Sequence, residues 1–285
     1  MLYVIQSIVL LIWLIYIIRK EKYSARAMIT AYLFFVMVTD IPEITFNQLL
    51  EFYKFPTYLF VNNIKDNQMG IVFSDGIILP MTNMIICHYA IKTKKPWSVA
   101  FVFAAVYGLL EWIYLKLEYL IYYKWNIWIS ISIYFLVSRF IFIFASKLMQ
   151  YKPPLPYFIR IGTSTYAVTA WFGAILGGSL AGLYQWRPYI FQHESADDRF
   201  SELSISLIFA LLSAVIIPKT KQKYRPIFFT SFAVVAIIIS YYSRGQGWLI
   251  YNNWNNVLTA IRWIIPFAVL VWLDRWESMS RGTAD

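Results

Sequence analysis

The stretch VIQSIVLLIWLIYII, from Val4 to Ile18, is followed directly by Arg19 and Lys20. It contains no charged residue, and its length approaches the roughly 20 apolar residues that cross a bilayer as a helix. No basic segment precedes it, which is the reverse of the charge order in a cleaved signal peptide. Because basic residues beside a span are retained in the cytoplasm, the stretch predicts a first transmembrane helix with an outer N-terminus.

The composition extends this prediction to the whole chain. Of its 285 residues, 60% are hydrophobic and only 14% are charged, whereas a soluble domain carries about 25% charged residues. A soluble protein of this size cannot bury so many apolar side chains, so much of the surface must face lipid. We therefore predict an all-α polytopic transmembrane helix bundle that forms a single integral membrane domain over residues 1–285.

Nine apolar runs are candidates for membrane spans. With a C-terminus in the cytoplasm, they divide into five helices within residues 1–150 and a four-helix extension within 151–285. No internal repeat is evident in the sequence. The predicted helices cover residues 3–18, 27–41, 70–91, 97–121, 126–146, 161–184, 203–218, 227–242 and 256–273.

The distribution of Lys and Arg supports this orientation, because basic residues concentrate in cytoplasmic loops. An N-out chain of nine helices places Arg139 and Arg262 inside helices. Seven basic residues fall outside, namely Lys54, Lys65, Lys116, Lys124, Arg187, Arg199 and Arg244. Sixteen fall on the cytoplasmic side, namely Arg19, Lys20, Lys22, Arg26, Lys92, Lys94, Lys95, Lys147, Lys152, Arg160, Lys219, Lys221, Lys223, Arg225, Arg275 and Arg281.

Two outer segments have a distinct character. Residues 42–69 are aromatic and too polar to span, so we expect an interfacial helix and a turn at Phe55-Pro56. The segment from Trp186 to Glu202 carries an acidic cluster that includes Asp197. Its carboxylates suit a hard cation, but the spacing of a calcium-binding loop is absent, which favours a solvated acidic loop.

The sixth predicted helix contains two pairs of glycines four residues apart, Gly173 with Gly177 and Gly178 with Gly182. Small residues at this spacing let helix backbones approach closely in lipid. The pattern is consistent with packing inside the chain. It is also consistent with a contact to another membrane protein, or with a homodimer face at Gly173 and Gly177.

Ionisable residues inside a membrane are costly and are therefore candidates for function. Tyr107 and Glu111 lie one turn apart on the fourth helix, and Arg139 lies at a similar depth on the fifth. One interpretation is a buried Glu111–Arg139 ion pair that fixes two helices. The other is a polar cavity lined by both residues.

The third helix adds Asp75 near its outer end, with Asn83 further along and Pro80 between them. A carboxylate at the start of a helix accepts backbone N–H groups, so Asp75 could cap this helix. Alternatively, Asp75 and Asn83 line the same cavity as Tyr107, Glu111 and Arg139.

Several kinds of chemistry have little support in the sequence. Cys87 is the only cysteine, and the two histidines, His88 and His193, belong to opposite sides of the membrane. No nucleotide-binding, zinc-protease or serine-hydrolase motif is present. The net charge of +10 comes from loop clusters rather than from a nucleic-acid-binding surface. We therefore expect membrane lipid as the surrounding partner, and no nucleic acid, cofactor or metal.

The stretch from about Leu49 to Arg139 resembles a family of uncharacterised multi-pass membrane proteins common in endospore-forming, Gram-positive bacteria. The resemblance rests on short pieces that occur in order. These are Phe55-Pro56-Thr57-Tyr58, Phe73-Ser74-Asp75 with Pro80, Glu111, and Tyr122-Tyr123-Lys124-Trp125-Asn126. It implies a bacterial plasma membrane protein and emphasises Asp75, Glu111 and Trp125, but it implies no activity.

Three functions are consistent with these features. The first is a small-solute or lipid-handling membrane protein, such as a transporter, with a polar cavity between helices three to five. The second is a structural or assembly subunit in which the same residues form closed ion pairs. The third is an intramembrane enzyme that uses Asp75 and Glu111 as acid and base.

Overall fold

The computed structural model describes residues 1–149, 154–178 and 180–279. The chain divides into two compact units, Met1–Leu155 and Pro156–Asp285. Of the residues counted above for the charge asymmetry, Lys152 and Arg281 lie outside the described residues. Each unit is described by itself below.

The first unit consists of five helices and two very short strands. Two of its helices contain π-helical segments, Ile44–Leu49 in α2 and Ser74–Ile78 in α3. The elements are α1 Leu2–Glu21, α2 Ala25–Leu49, β1 Tyr53–Lys54, α3 Asn63–Thr93, α4 Pro96–Lys116, β2 Ile121–Tyr122 and α5 Ile127–Met149.

The second unit consists of four helices and two strands. A 3-10 turn, Ile217–Lys219, follows its second helix. The elements are α6 Tyr157–Ile175, β3 Tyr184–Trp186, α7 Glu194–Ile216, α8 Arg225–Gly245, β4 Leu249–Tyr251 and α9 Asn256–Met279.

Eight helices of the described chain are long and apolar enough to cross a membrane, and α6 is not among them. Large apolar side chains cover their outer faces. Val106, Leu136 and Ile238, for example, are 46%, 63% and 60% exposed. A continuous apolar surface of this extent is unfavourable in water but matches lipid. The predicted helical bundle is therefore confirmed, and the length and composition of eight of its helices are those of membrane spans.

The predicted interfacial helix within residues 42–69 was wrong. The first part of this segment extends α2 to Leu49, and β1 then pairs with β2. Asn62 caps the following helix by accepting hydrogen bonds from the backbone N–H groups of Ile64 and Lys65. Since α3 begins at Asn63, Asp75 lies in the helix interior, and its predicted role as an N-terminal cap was wrong as well.

The sixth predicted helix is shorter than expected. α6 ends at Ile175, so Gly177 and Gly178 lie in the turn that follows. Gly177 has a φ of 131°, a conformation that suits glycine, and a Cβ at this position would overlap the ring of Trp254. Of the four glycines in the two predicted pairs, Gly173 alone lies within α6, and it faces the side chain of Arg262. Close packing within the second unit, rather than helix–helix periodicity, therefore accounts for these glycines.

The predicted solvated acidic loop was also wrong. α7 begins at Glu194, and Asp197, Asp198 and Glu202 are all buried within it. The apolar periodicity of the sequence did not predict the first turns of α7, because the face that these turns bury is polar. The carboxylates are buried because each accepts hydrogen bonds from nearby backbone or side-chain groups, which compensates for lost hydration.

The two units repeat one order of elements, helix–strand–helix–helix–strand–helix. This order runs from α2 to α5 in the first unit and from α6 to α9 in the second, so α1 has no counterpart. In each unit the two strands pair antiparallel, with a tyrosine opposite a tyrosine: Tyr53 faces Tyr122, and Tyr184 faces Tyr251. α4 and α8 both contain 21 residues.

The same aspartate motif follows the first strand of each unit. Asp66 accepts hydrogen bonds from the backbone N–H groups of residues 58–60, which precede it by eight, seven and six positions. Asp197 does the same for residues 189–191, at identical separations. The first residue of each triplet is a tyrosine in the left-handed region, with φ values of 59° and 61°.

A second shared motif follows the second strand. The indole Nε1 of Trp125 donates to the hydroxyl of Ser130, five residues later, at 2.8 Å. Trp254 donates to Thr259, also five residues later, at 2.9 Å. Each hydroxyl also contacts the hydroxyl of a tyrosine eight residues before it. The chain therefore contains a tandem repeat of a four-helix unit, contrary to the sequence-based expectation.

Candidate ligand cavity in the first unit

The first unit contains a cavity of about 210 Å³. Its lining comes from all five helices, α1 to α5, and from both strands. The π-helical segments of α2 and α3 contribute Phe46, Ser74 and Ile78 to the wall. π-Helical turns are frequent at functional sites because they redirect side chains within a helix.

Glu111 is the central polar residue of this cavity. Its Oε1 accepts hydrogen bonds from the hydroxyl of Tyr122 and from Ser130, the latter at 2.6 Å. Its Oε2 is buried and has no hydrogen-bond donor among the described residues. The carboxylate is thus held through Oε1 by two hydroxyl groups, and the side chain of Tyr134 also interacts with it.

Glu43 on α2 supplies a second carboxylate to the lining. Tyr53 donates to its Oε2 at 3.0 Å, and its Oε1 has no donor in bonding geometry within the described chain. Burial, reinforced by the negative charge of Glu43, raises the pKa of the Tyr53 hydroxyl far above its usual value. Tyr53 therefore remains a neutral hydrogen-bond donor.

Three of the five residues predicted from the sequence line this cavity, namely Asn83, Tyr107 and Glu111. Tyr107 shares a hydrogen bond with Thr82 across α3 and α4. The other two predicted residues, Asp75 and Arg139, are not among the lining residues.

Arg139 does not pair with Glu111. Its guanidinium lies over the ring of Trp97, 4.7 Å from the centroid, and 5.9 Å from that of Phe142. The predicted ion pair was wrong because a similar depth in the membrane, estimated from the sequence, does not specify which face of each helix points inward. The aromatic faces of Trp97 and Phe142 stabilise the cation instead.

Asp75 lies behind the cavity wall on α3. The residue is 1% exposed, and neither carboxylate oxygen has a hydrogen bond among the described residues. Its nearest charged neighbours include Glu43 and Asp40, which are acidic as well. Asp75 thus lies near other acidic residues of this unit without lining the cavity.

Sequence reasoning missed three residues of this site. Glu43 follows Pro42 at a predicted helix exit, where a solvated carboxylate is common, so its burial was not anticipated. Tyr122 was part of the family resemblance and Ser130 lies in the fifth predicted helix, but nothing in the sequence linked either residue to Glu111. The Tyr-x-x-Trp-Asn segment that begins at Tyr122 and recurs at Tyr251 was the one signal that could have pointed to them.

An apolar groove of about 770 Å³ adjoins the cavity. It runs between α1, the second half of α3 and α4, and the flanking Ile5, Val9 and Val106 are about half exposed. The groove and the cavity share six lining residues: Gln6, Thr82, Phe103, Tyr107, Leu110 and Tyr114. These six residues therefore form a common wall between the cavity and a groove that opens on the apolar surface of the unit.

The equivalent region of the second unit is organised differently. Ser240 precedes Tyr251 by the same eleven residues that separate Glu111 from Tyr122, and it accepts a hydrogen bond from Trp263. One of the buried carboxylates of this unit, Glu202, lies 3.7 Å from the guanidinium of Arg262. Glu202 thus has a cationic partner, unlike Glu111 in the first unit.

No protein-family model, curated protein or solved structure matches this chain. The family resemblance inferred from the sequence therefore stays a prediction, and the function is argued from the cavity alone.

Proposed function

We propose that this chain is a bacterial plasma-membrane protein with nine spans, N-out and C-in, that binds a small solute or a lipid-derived molecule in the cavity of its first unit. The observation that carries the proposal is the carboxylate side chain of Glu111 in a cavity whose lining contains no Lys, Arg or His. A buried charge without a partner is strongly unfavourable, so a ligand that supplies the partner gains affinity.

The internal repeat supports the ninth span. α6 occupies in the second unit the place that α2 occupies in the first, although α6 alone is less apolar than the other helices. With α6 crossing the membrane, the repeated segments α2–α5 and α6–α9 both begin at the cytoplasmic face. The loops that precede α3 and α7 are then both outer loops, in agreement with the Lys and Arg distribution.

The alternatives have weaker support. A closed structural subunit was expected to pair Glu111 with Arg139, and that pair is absent. An acid–base enzyme was expected to bring Asp75 and Glu111 to one cavity, but Asp75 does not line it. The homodimer face at Gly173 and Gly177 gains no support either, since both glycines contact side chains of their own unit.

The proposal can be tested by filling the cavity. Ser138 lines the cavity and Ser132 is exposed on the same helix, α5, so Ser138→Phe and Ser132→Phe form a matched pair. Native mass spectrometry of the full chain in lipid nanodiscs should detect a bound small molecule in the wild type and in Ser132→Phe, but not in Ser138→Phe. Equal occupancy in all three proteins, or no bound molecule in any of them, would refute the proposal.

A further inference from the structure

The charge of the cavity restricts what it can bind. Its lining contains two carboxylate side chains, Glu43 and Glu111, and no Lys, Arg or His. Asp75, behind the wall, is close enough to Glu43 for their charges to interact. In a membrane interior these charges attract a cation far more strongly than they would in water.

The aromatic lining favours an organic cation over a metal ion. Ten of the lining residues are aromatic, including Trp125, Tyr122 and Tyr134 near Glu111. Aromatic faces attract ammonium groups, and cages of such rings are a recurrent way to bind quaternary amines. Within the described residues no cluster of three or more His, Cys, Asp or Glu side chains has the arrangement of a metal site.

The size of the cavity sets a limit on the ligand. An engineered cavity of about 150 Å³ accommodates benzene, so about 210 Å³ holds a compact headgroup and little more. The adjoining groove of about 770 Å³ has room for an attached apolar chain. Its exposed apolar walls, which include Val9 and Val102, match the surrounding lipid rather than water.

Two hydrogen bonds lie where the groove meets the cavity. Tyr114 on α4 donates to Gln6 on α1, and Tyr107 on α4 bonds to Thr82 on α3. All four residues line both spaces. The two hydrogen-bonded pairs therefore belong to the wall that the groove and the acidic cavity share.

From these observations we infer that the cavity binds an amphipathic organic cation, an amine or quaternary ammonium group on an apolar chain, which reaches Glu111 and Glu43 from the lipid through the α1–α4 groove. The inference rests on the proposed function and specifies its ligand class. The cationic nitrogen lies between the two carboxylates, and the chain remains in the groove.

The charge requirement can be tested with two probes of the same shape. Octyltrimethylammonium and its uncharged carbon isostere, 2,2-dimethyldecane, differ only in the central atom of the headgroup. Binding to the full chain in nanodiscs, measured as ligand-dependent thermal stabilisation, should be saturable for the cation and absent for the isostere. Glu111→Gln should weaken cation binding at least tenfold, whereas Glu118→Gln, an exposed glutamate in the connection after α4, should leave it unchanged.

A second variant covers the case in which Glu111→Gln does not fold. Asn83 lines the cavity, and Asn83→Lys would introduce a tethered ammonium that competes with the probe while neutralising the acidic site. Cation binding should be lost in this variant. If the isostere binds as well as the cation, or if the cation binds Asn83→Lys normally, the cation inference fails, although loss of the bound molecule in Ser138→Phe would still support a ligand site.

The proposed route through the groove can be tested with a matched pair of substitutions on α4. Val106 lines the groove and Leu109 does not, and both are largely exposed. Val106→Trp should slow the association of octyltrimethylammonium severalfold, and Leu109→Trp should not. Equal rates in the two variants would rule out access through this groove while leaving the ligand class intact.

Discussion

The guanidinium of Arg139 lies over the indole ring of Trp97, 4.7 Å from its centroid, and not beside Glu111. This arrangement separates the two ionisable groups that the sequence had suggested as a pair. Glu111 is consequently left facing the cavity, with hydrogen-bond donors on one oxygen and none among the described residues on the other.

The first prediction concerns the independence of these two residues. Glu111→Gln and Arg139→Gln should change the free energy of unfolding additively, to within about 0.5 kcal/mol, because residues without shared partners do not couple. The measurement is a double-mutant cycle in nanodiscs. Recovery of stability in the double variant would indicate an ion pair and contradict this arrangement.

The second prediction concerns the tryptophan–hydroxyl motif. Ser130→Ala removes the acceptor for Trp125 and a donor to Glu111, so it should destabilise the protein by about 1–3 kcal/mol, the usual penalty for stranding a buried polar group. Thr259→Val should have a similar effect in the second unit through Trp254. Ser132→Ala, on the exposed face of α5, serves as the control and should have almost no effect on the thermal midpoint.

The third prediction concerns Asp66 and Asp197, each of which accepts backbone hydrogen bonds from the loop before its helix. Asp66→Asn and Asp197→Asn replace one acceptor oxygen by a donor, so at least one of the backbone N–H groups bonded to it loses its partner. Hydrogen exchange should become faster in residues 58–60 and 189–191, respectively. In the control, Glu194→Gln at an exposed neighbour of Asp197, the protection of both loops should be retained; unchanged exchange in both aspartate variants would show that other contacts hold the loops.

The fourth prediction concerns the buried ion pair between Glu202 and Arg262 in the second unit. Arg262→Leu leaves Glu202 buried with Tyr184 as its hydrogen-bond donor, which should cost about 3–5 kcal/mol. Adding Glu202→Leu should restore part of the loss, because the stranded charge is removed. If the double variant is less stable than Arg262→Leu, the ion pair is not the dominant interaction at this position.

The fifth prediction concerns topology. Reporters inserted after Val61 and after Gln192 should both report the exterior, since these sites occupy equivalent loops of the repeat. Reporters after Lys94 and Lys223 should both report the cytoplasm. Opposite locations for Val61 and Gln192 would mean that α6 does not cross the membrane and that the two units have opposite orientations.

Much of the fold could be predicted from the sequence because lipid imposes simple constraints. A span needs a long apolar run, and its backbone must satisfy its own hydrogen bonds as a helix. The run from Val4 to Ile18 and the helices α4, α5 and α8 follow from this rule alone. Helix ends that carry buried polar groups were harder to predict: Asp197 and Glu202 resembled a solvated loop because acidic side chains are usually exposed, and their hydrogen-bond donors became evident only in the folded chain.

From the sequence we could predict a helical protein suited to a membrane, the position of most of its spans, and Glu111, Tyr107 and Asn83 as polar residues within them. The packing of the helices was needed to show which of these residues share a cavity, that Arg139 lies over Trp97, and that Glu43, Tyr122 and Ser130 complete the site. This is because hydrophobicity determines whether a segment can enter a membrane, whereas the direction of each side chain depends on helix rotation and packing. The repeat was hidden for the same reason, since its units share backbone geometry and a few hydrogen-bonding residues rather than an apolar pattern of their own.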